Sequence, residues 1–390
     1  MRRPGALTRV ITPFVLNSVQ QHLTRPFVPL FAASLDVGYL GVGIVAAAVG
    51  FLPIFFALPV GRLADRFGPR VMVTTGALLN ATGFLLLFLL PSLPMVIVTQ
   101  LLAGFASLLV NLSTQTYVGT LGKGADAERN FSTLTIFASI GQIGGPLAGG
   151  LLIGLGGFGA AFITAVGLST VCAIAAITLL PRTAPAQVLP EEVTPRRALD
   201  YVKDADTQLA ILASSLMAIP EILRTAFLPI YLGDVIHLDP ALVGYVLALF
   251  SVAGLVAKTV LPRVVARFGR QVMLFTFTAG CALALIGLPM TTLLWVVCVI
   301  TACMGLTFGL GRPLSMAMAA NAATPGEEGY VVALRLSGNR IADFVLPVLF
   351  GSAASVAGIG AAFLCGAGLL LVGAGALVRP MIAEVRAARA

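Results

Sequence analysis

The sequence predicts an all-α membrane protein of twelve transmembrane helices arranged as two pseudo-symmetric six-helix bundles. Three observations carry this. Apolar residues make up 58% of the 390 and charged residues only 10%, whereas about a quarter of a water-soluble domain is charged. Stretches long enough to cross about 30 Å of hydrocarbon, roughly 20 residues each, occur six times on either side of one polar segment. Two stretches of the first half also recur in the second, about 200 residues on.

The expected spans of the first half are 10–34, 39–60, 71–90, 94–117, 131–154 and 158–180. Met1-Arg2-Arg3 ahead of an apolar run resembles a signal peptide, but no small-residue cleavage site leads into a polar mature domain, so the run reads as a retained first helix. Residues 181–206 follow, with Pro181, Pro185, Pro190, Pro195, Glu191, Glu192, Arg196 and Arg197, too polar for lipid and suited to a cytoplasmic linker with a short surface helix near Arg196–Lys203. The second half gives 207–232, 241–262, 271–290, 293–318, 329–353 and 358–378. The domains are therefore 1–180, the linker 181–206, and 207–390.

Eighteen of the 24 lysines and arginines fall in segments on one side: Arg2, Arg3, Arg9; Arg62, Arg66, Arg70; Lys123, Arg129; Arg182, Arg196, Arg197, Lys203; Arg263, Arg267, Arg270; Arg379, Arg386, Arg389. The opposite segments hold none. Loop Lys and Arg set orientation, so both termini are expected in the cytoplasm. The net charge of +8 then needs no nucleic acid.

Other chemistry is excluded residue by residue. Cys172, Cys281, Cys298, Cys303 and Cys365 all lie in apolar runs without metal-ligand spacing and are expected in the core; no metal or other cofactor is expected. Gly154-Leu155-Gly156-Gly157-Phe158-Gly159 satisfies G-x-G-x-x-G, but it follows a membrane helix and has no acidic residue about 20 positions on. It reads as a tight extracellular turn. Gly122-Lys123-Gly124 lacks the parts of a nucleotide loop, so nothing points to an enzyme, and energy has to come from a gradient.

The stretch Gly61-Arg62-Leu63-Ala64-Asp65-Arg66-Phe67-Gly68-Pro69-Arg70 reads as a charged hairpin between two membrane helices. Its glycines allow a turn and close approach, Asp65 can face a helix N-terminus or a basic side chain, and Arg66 and Arg70 suit anionic headgroups. It matches Gly-x-Leu-Ala-Asp-Arg-x-Gly-x-Arg, and the chain resembles the major facilitator superfamily on this signature. Gly141-Gln142-Ile143-Gly144-Gly145-Pro146-Leu147-Ala148-Gly149-Gly150 fits G-x-x-x-G-P-x-x-G-G, which the drug/proton antiporters of that family carry in helix 5. There Pro146 is expected to kink the helix and Gly141, Gly145, Gly149 and Gly150 to admit a neighbour, as a hinge or a leak-proof seam; generic small-residue packing gives the same pattern. The arginine four residues before a glycine in helix 4 of such exporters is absent, since Gln100 precedes Gly104.

The halves repeat: Arg25-Pro26-Phe27-Val28-Pro29-Leu30-Phe31 resembles Arg224-Thr225-Ala226-Phe227-Leu228-Pro229-Ile230-Tyr231, and Arg66-Phe67-Gly68-Pro69-Arg70-Val71-Met72 resembles Arg267-Phe268-Gly269-Arg270-Gln271-Val272-Met273. Ala266 stands where Asp65 does, so the second charged stretch lacks the gating contact expected of the first. In such a duplicated fold the substrate site is expected between the bundles near the bilayer midplane.

The charges inside the spans are Arg25, Arg224, Lys258, Arg312, Arg335 and Arg340, with Glu221 and Asp343. Each costs about 2.5–3.5 kcal/mol at mid-helix on insertion scales. Lys258 and Arg335 are expected near helix ends, from which they snorkel. Glu221 and Arg224 are three apart, as are Arg340 and Asp343 and also His22 and Arg25, so each pair can share a helix face. The resemblance implies that Arg25, Glu221, Arg224 and Arg312 face the cavity; the alternative is that the pairs brace helices and that the His22 imidazole bonds a neighbouring carbonyl. Arg312 has no acidic neighbour within a turn, and its first-half counterpart is Asn111.

These residues lead to a secondary transporter that exports a small anionic or zwitterionic solute in exchange for protons. Arg312, Arg224 and Arg25 are expected to bind substrate, Glu221, Asp343 and His22 to carry the proton, and Arg340 to pair with Asp343. Uptake of an organic anion by symport, a flippase for an anionic lipid, and a transporter-like sensor are the alternatives. The protein is expected as a monomer in a bacterial inner membrane, with lipid, protons and a small-molecule substrate as its partners.

Overall fold

The computed structural model describes residues 6–121, 125–182, 205–322 and 328–387, and every regular element among them is helical. A chain in hydrocarbon must satisfy each backbone N–H and C=O within itself, which helices do. The first half folds as α1 (Ala6–Thr24), α2 (Phe27–Ala33), α3 (Gly38–Leu89), α4 (Leu93–Thr120) and α5 (Ala125–Leu179). The second begins with α6 (Ala205–Ile222), which runs on through a π-turn at Leu223–Phe227, one α-turn, and a second π-turn at Tyr231–Val235. There follow α7 (Pro240–Phe268), α8 (Arg270–Gly287), α9 (Leu294–Ala322), α10 (Glu328–Ala357) and α11 (Ile359–Ala387).

Among the described residues nine helices are long and apolar enough to cross a membrane. The expected count of twelve is not reached by that measure, for three reasons. One span, Arg129–Leu179, runs 51 residues and merges two expected segments; α1 and α2 divide the first at Arg25–Pro26; and the apolar part of α9 is only Leu294–Gly309. Large apolar side chains such as Phe55, Ile174, Leu283 and Val372 are exposed, as a lipid-facing surface requires. The exception is Thr207–Val235, whose most apolar window is 72% buried against 28–56% in the other eight. That helix is packed against protein over more of its length than the other eight.

The described residues gather into two compact units, one drawn from 1–189 and 238–248, the other from 190–237 and 249–390. The first unit has a core cluster near one end around Phe14, Val110 and Cys172. At the other end Phe31, Phe84 and Phe162 pack together, with Phe31 edge-on to Phe162 at 5.2 Å. In the second unit Tyr231 stands edge-on to Phe363 at 5.5 Å, and its hydroxyl lies 3.0 Å from the carbonyl oxygens of both Leu288 and Thr291.

The stretch 61–70, expected as a hairpin loop, is helical except at one residue. Gly68 alone leaves helical geometry, at φ 76° and ψ 169°, and Pro69, whose ring presets a helical φ, starts the next segment. A left-handed φ costs glycine nothing, so one residue does the work of a loop. Gly269, at φ 84° and ψ 162°, does the same between α7 and α8. Gly156 and Gly157 break α5 likewise, at the place where a tight turn is expected. Pro146 does not break α5: the two glycines are its non-helical residues. Of the cysteines, Cys172 and Cys281 are buried as expected, but Cys303 is exposed on an apolar helix, where a thiol tolerates lipid.

Over several of their landmarks the two halves share one frame. Gly68 and Gly269, Gly157 and Gly358, and the non-glycine positive-φ residues Asp36 and His237 are each 201 positions apart by subtraction. So are Gly104 and Gly305, whose added Cβ atoms would strike the backbone carbonyls of Val49 and Phe250 respectively, themselves 201 apart. Yet Arg25 and Arg224 differ by 199, and the equivalent aromatics Phe31 and Tyr231 by 200. The first π-turn, Leu223–Phe227, contains Arg224, and the second begins at Tyr231. A π-turn closes i→i+5 and so holds one residue more than an α-turn. Each therefore absorbs one extra residue of the second half while its flanks keep the first half's positions.

Candidate functional site

The carboxylate and guanidinium that sequence spacing brings together sit where α6 passes into its first π-turn. Arg224 donates from Nη2 to Glu221 Oε1 at 2.7 Å and from Nε to Oε2 at 3.1 Å, a bidentate pair. Arg224 is 2% exposed, and among the described residues its Nη1 finds no hydrogen-bond partner. The guanidinium lies 4.7 Å from the centre of the Phe250 ring, which in turn is 5.4 Å from the Phe308 ring. Local backbone chemistry explains the irregularity: Pro229 has no N–H to give to a carbonyl one turn back, Leu228 N–H reaches Leu223 O instead, and the Thr225 hydroxyl donates to Glu221 O at 2.8 Å. Arginine keeps its charge at any accessible pH, so the one group of this pair that can change state is Glu221.

Arg340 and Asp343 of α10 approach less closely, 3.8 Å, and both are partly exposed. Beside them Asn339 accepts a 2.6 Å hydrogen bond from Ser214 of α6. The backbone here is close, since a Cβ on Gly338 would lie 2.9 Å from Ile211.

In the first unit the expected group divides. His22 turns its ring to its own helix, Nδ1 lying 2.8 Å from Ser18 O; facing a carbonyl, Nδ1 carries the proton and Nε2 is the basic nitrogen of the neutral ring. Ser18 in turn donates to Ala138 O at 3.0 Å. Arg25 is half-buried, and among the described residues no carboxylate pairs with it. Gln100, in the place of the family's arginine, points Nε2 toward Val45 O at 3.5 Å, and Asn111 bonds back to Ser107.

The glycine run of α5 serves two neighbours. A Cβ on Gly145 would lie 2.6 Å from His22 Cβ, and one on Gly149 would lie 2.7 Å from the Phe27 ring. Gly141 meets Ser18 in the same way, so Gly141, Gly145 and Gly149 form the groove that receives α1. Gly150 faces the other way, against Pro240 O and 3.1 Å from Gly244 Cα, within the same unit.

Arg62 and Arg66 are exposed and Arg70 is half-buried; Arg66 lies over the Phe67 ring at 5.4 Å, as Arg267 does over Phe268. Lys258 is half-buried, two residues before the end of the apolar span Pro240–Val260. Arg312 and Arg335 occupy α9 and α10, and Asp65 lies in the last turns before Gly68, but the side chains of all three fall outside the described residues. Phe250, Ser214 and Asn339 were not expected. The repeat alone could have flagged Phe250, which stands where the first half has Val49.

A family model described as Major Facilitator Superfamily matches residues 14–219 and 210–388. An MFS-type transporter of Mycobacterium tuberculosis is 28% identical over 174 residues, 44% of this chain and 41% of that protein, so the match spans less than half of that relative. The class C tetracycline resistance protein of Escherichia coli is 23% identical over 95% of this chain and 96% of its own. Multidrug resistance protein 2 of Bacillus subtilis is 20% identical over 84% of each. Among solved structures, the nucleoside transporter NupG superposes with a TM-score of 0.74 at 15% identity, covering 97% of this chain and 99% of that one. A bacterial homologue of the lysosomal transporter Spinster reaches 0.77 at 10% identity over 98% and 96%.

Proposed function

This chain belongs to the major facilitator superfamily and is an integral membrane transporter, not an enzyme; from that premise we propose that it carries a small anionic or zwitterionic solute across a bacterial inner membrane, its movement coupled to that of protons. The observation that carries this reading is the buried bidentate Glu221–Arg224 pair. Held together, the two charges cancel and are tolerated in a span. When Glu221 takes a proton, Arg224 keeps a full charge and an unused Nη1, and so becomes an anchor for a carboxylate, phosphate or sulfonate. When substrate leaves, the proton leaves too and the pair closes. Proton and anion thereby load and leave together through one guanidinium, which couples the two movements in the sense of symport.

Arg25, without a carboxylate partner among the described residues, and Arg312 are the other proposed anchors. Asp343 is the proposed second proton carrier, held beside Arg340, and His22 with its basic Nε2 a third. The names of the E. coli and B. subtilis relatives and the α5 glycine run favour export in exchange for protons, whereas the linkage of the Glu221–Arg224 pair favours the alternative, uptake of an organic anion by symport. The basic segments favour cytoplasmic termini, with the region of Asp65 as a gate on that side. A monomer suffices for this cycle, with protons, lipid and substrate as its partners.

The test begins with thermal-shift measurements on the purified protein against organic anions, cations and neutral drugs, followed by flux of the stabilising compound in liposomes with and without a pH gradient. Stabilisation by anions and flux that follows the gradient are expected. Preference for lipophilic cations, or flux indifferent to pH, contradicts the proposal.

A further inference from the structure

The proton switch proposed above leaves one physical question, which is what holds Arg224 when Glu221 is neutral. A protonated Glu221 keeps a carbonyl acceptor but no countercharge. Arg224 cannot shed its own charge, is 2% exposed, and has no hydrogen bond at Nη1 among the described residues. Among the described residues the guanidinium also lies over the face of Phe250, 4.7 Å away. A desolvated guanidinium over an aromatic face is attracted by the ring quadrupole, more strongly as its countercharge is removed.

Phe250 is built to stay there. It is 2% exposed, its ring is flanked by Phe308 at 5.4 Å, and its backbone carbonyl is closed on by Gly305, where no Cβ fits. The first half has the same backbone frame, Gly104 against the Val49 carbonyl. There the side chains differ together: Val49 in place of Phe250, and His22 in place of Glu221. The aromatic face accompanies the carboxylate.

We propose that Phe250 is a positioning residue of the proton switch, its ring keeping the Arg224 guanidinium seated while Glu221 carries a proton. This rests on the reading of Glu221 as the proton-carrying group. Other charges share the surroundings: Arg340 and Asp343 on α10, which packs against α6, Lys258 on the helix of Phe250, and Arg312 and Arg335, whose side chains lie outside the described residues. The neighbouring thiols of α8, α9 and α11 are uncharged at neutral pH. All of these are common to parent and variant, so a comparison at position 250 isolates the ring.

The experiment is an infrared pH titration of the full chain reconstituted in lipid bilayers, without ligand. Glu221→Gln identifies the protonated-carboxyl band of Glu221 by its disappearance. Phe250→Leu keeps apolar bulk and removes the π-face; Phe250→Tyr and Phe250→Trp keep the face. Losing the face disfavours the state with neutral Glu221 beside a charged arginine, so the Glu221 band in Phe250→Leu should titrate about one pH unit lower than in the parent. The Tyr and Trp variants should titrate close to the parent. Should Phe250→Leu misfold, Phe250→Met gives the same comparison. A parent-like midpoint in the aliphatic variant overturns the role of Phe250 while leaving Glu221 as the carrier. The absence of any Glu221 band titrating between about pH 4 and 9 overturns both.

Discussion

Ser214 donates its hydroxyl to the side-chain oxygen of Asn339 at 2.6 Å, joining α6 to α10 across 125 residues of sequence. Further along the same two helices Phe227 meets Phe350 edge-on at 6.3 Å, so the contacts advance together and the helices run parallel. That fixes their register. Glu221 lies seven residues beyond Ser214, and Asp343 four beyond Asn339; the three-residue difference is about 4.5 Å of helical rise. The two proposed proton carriers therefore occupy neighbouring levels of one seam.

Removing this pin strands a polar group that is now satisfied. Ser214→Ala and Asn339→Ala should each cost about 1 kcal/mol, and the double variant should cost clearly less than their sum. Thermal unfolding of the purified protein measures this; strict additivity would mean that the bond contributes nothing.

The α1–α5 groove predicts a contrast between adjacent glycines. Gly145 has no room for a Cβ, which would lie 2.6 Å from that of His22, whereas a Cβ on Gly144 meets nothing within 4 Å. Gly145→Ala should destabilise by about 1–3 kcal/mol, while Gly144→Ala should leave thermal stability unchanged or slightly raised. Equal effects would show that the glycines are interchangeable packing.

Substrate sign is read at Arg25 and Arg312. Replacing either with Ala should weaken binding of an organic anion by about tenfold or more, the scale of one charge-assisted hydrogen bond. At Arg312 lysine should restore only part, since it keeps the charge but loses the planar fork. Isothermal titration with the anion found by thermal shift decides; unchanged affinity in both Ala variants removes them from the site.

Orientation has a direct assay. In a background without the five native cysteines, a cysteine at Asp36 or Asp234 should react with an impermeant thiol reagent added outside intact cells, and one at Arg66 or Arg267 should not. The reverse labelling pattern contradicts cytoplasmic termini.

The fold class was legible because a bilayer restricts the choice to helices, and apolar length reveals them. The Glu221–Arg224 pairing was legible because a three-residue spacing leaves two side chains on one face. The one-residue break at Gly68 was not, since charged residues read as loop while their backbone stays helical. The π-turns were present in the sequence as a changed spacing, Arg25 to Pro29 against Arg224 to Pro229, but become visible only once positive-φ positions fix the repeat on either side. Phe250 was hidden for another reason. An aromatic in an apolar run looks like any other until a charge from another helix is found resting on it.

The central claim is that Glu221 exchanges Arg224 for a proton, and flux in proteoliposomes tests it most directly. With an organic anion selected by thermal shift, Glu221→Gln should abolish flux driven by a pH gradient while exchange of labelled for unlabelled anion at equal pH continues. Full pH-driven flux in Glu221→Gln would contradict the account.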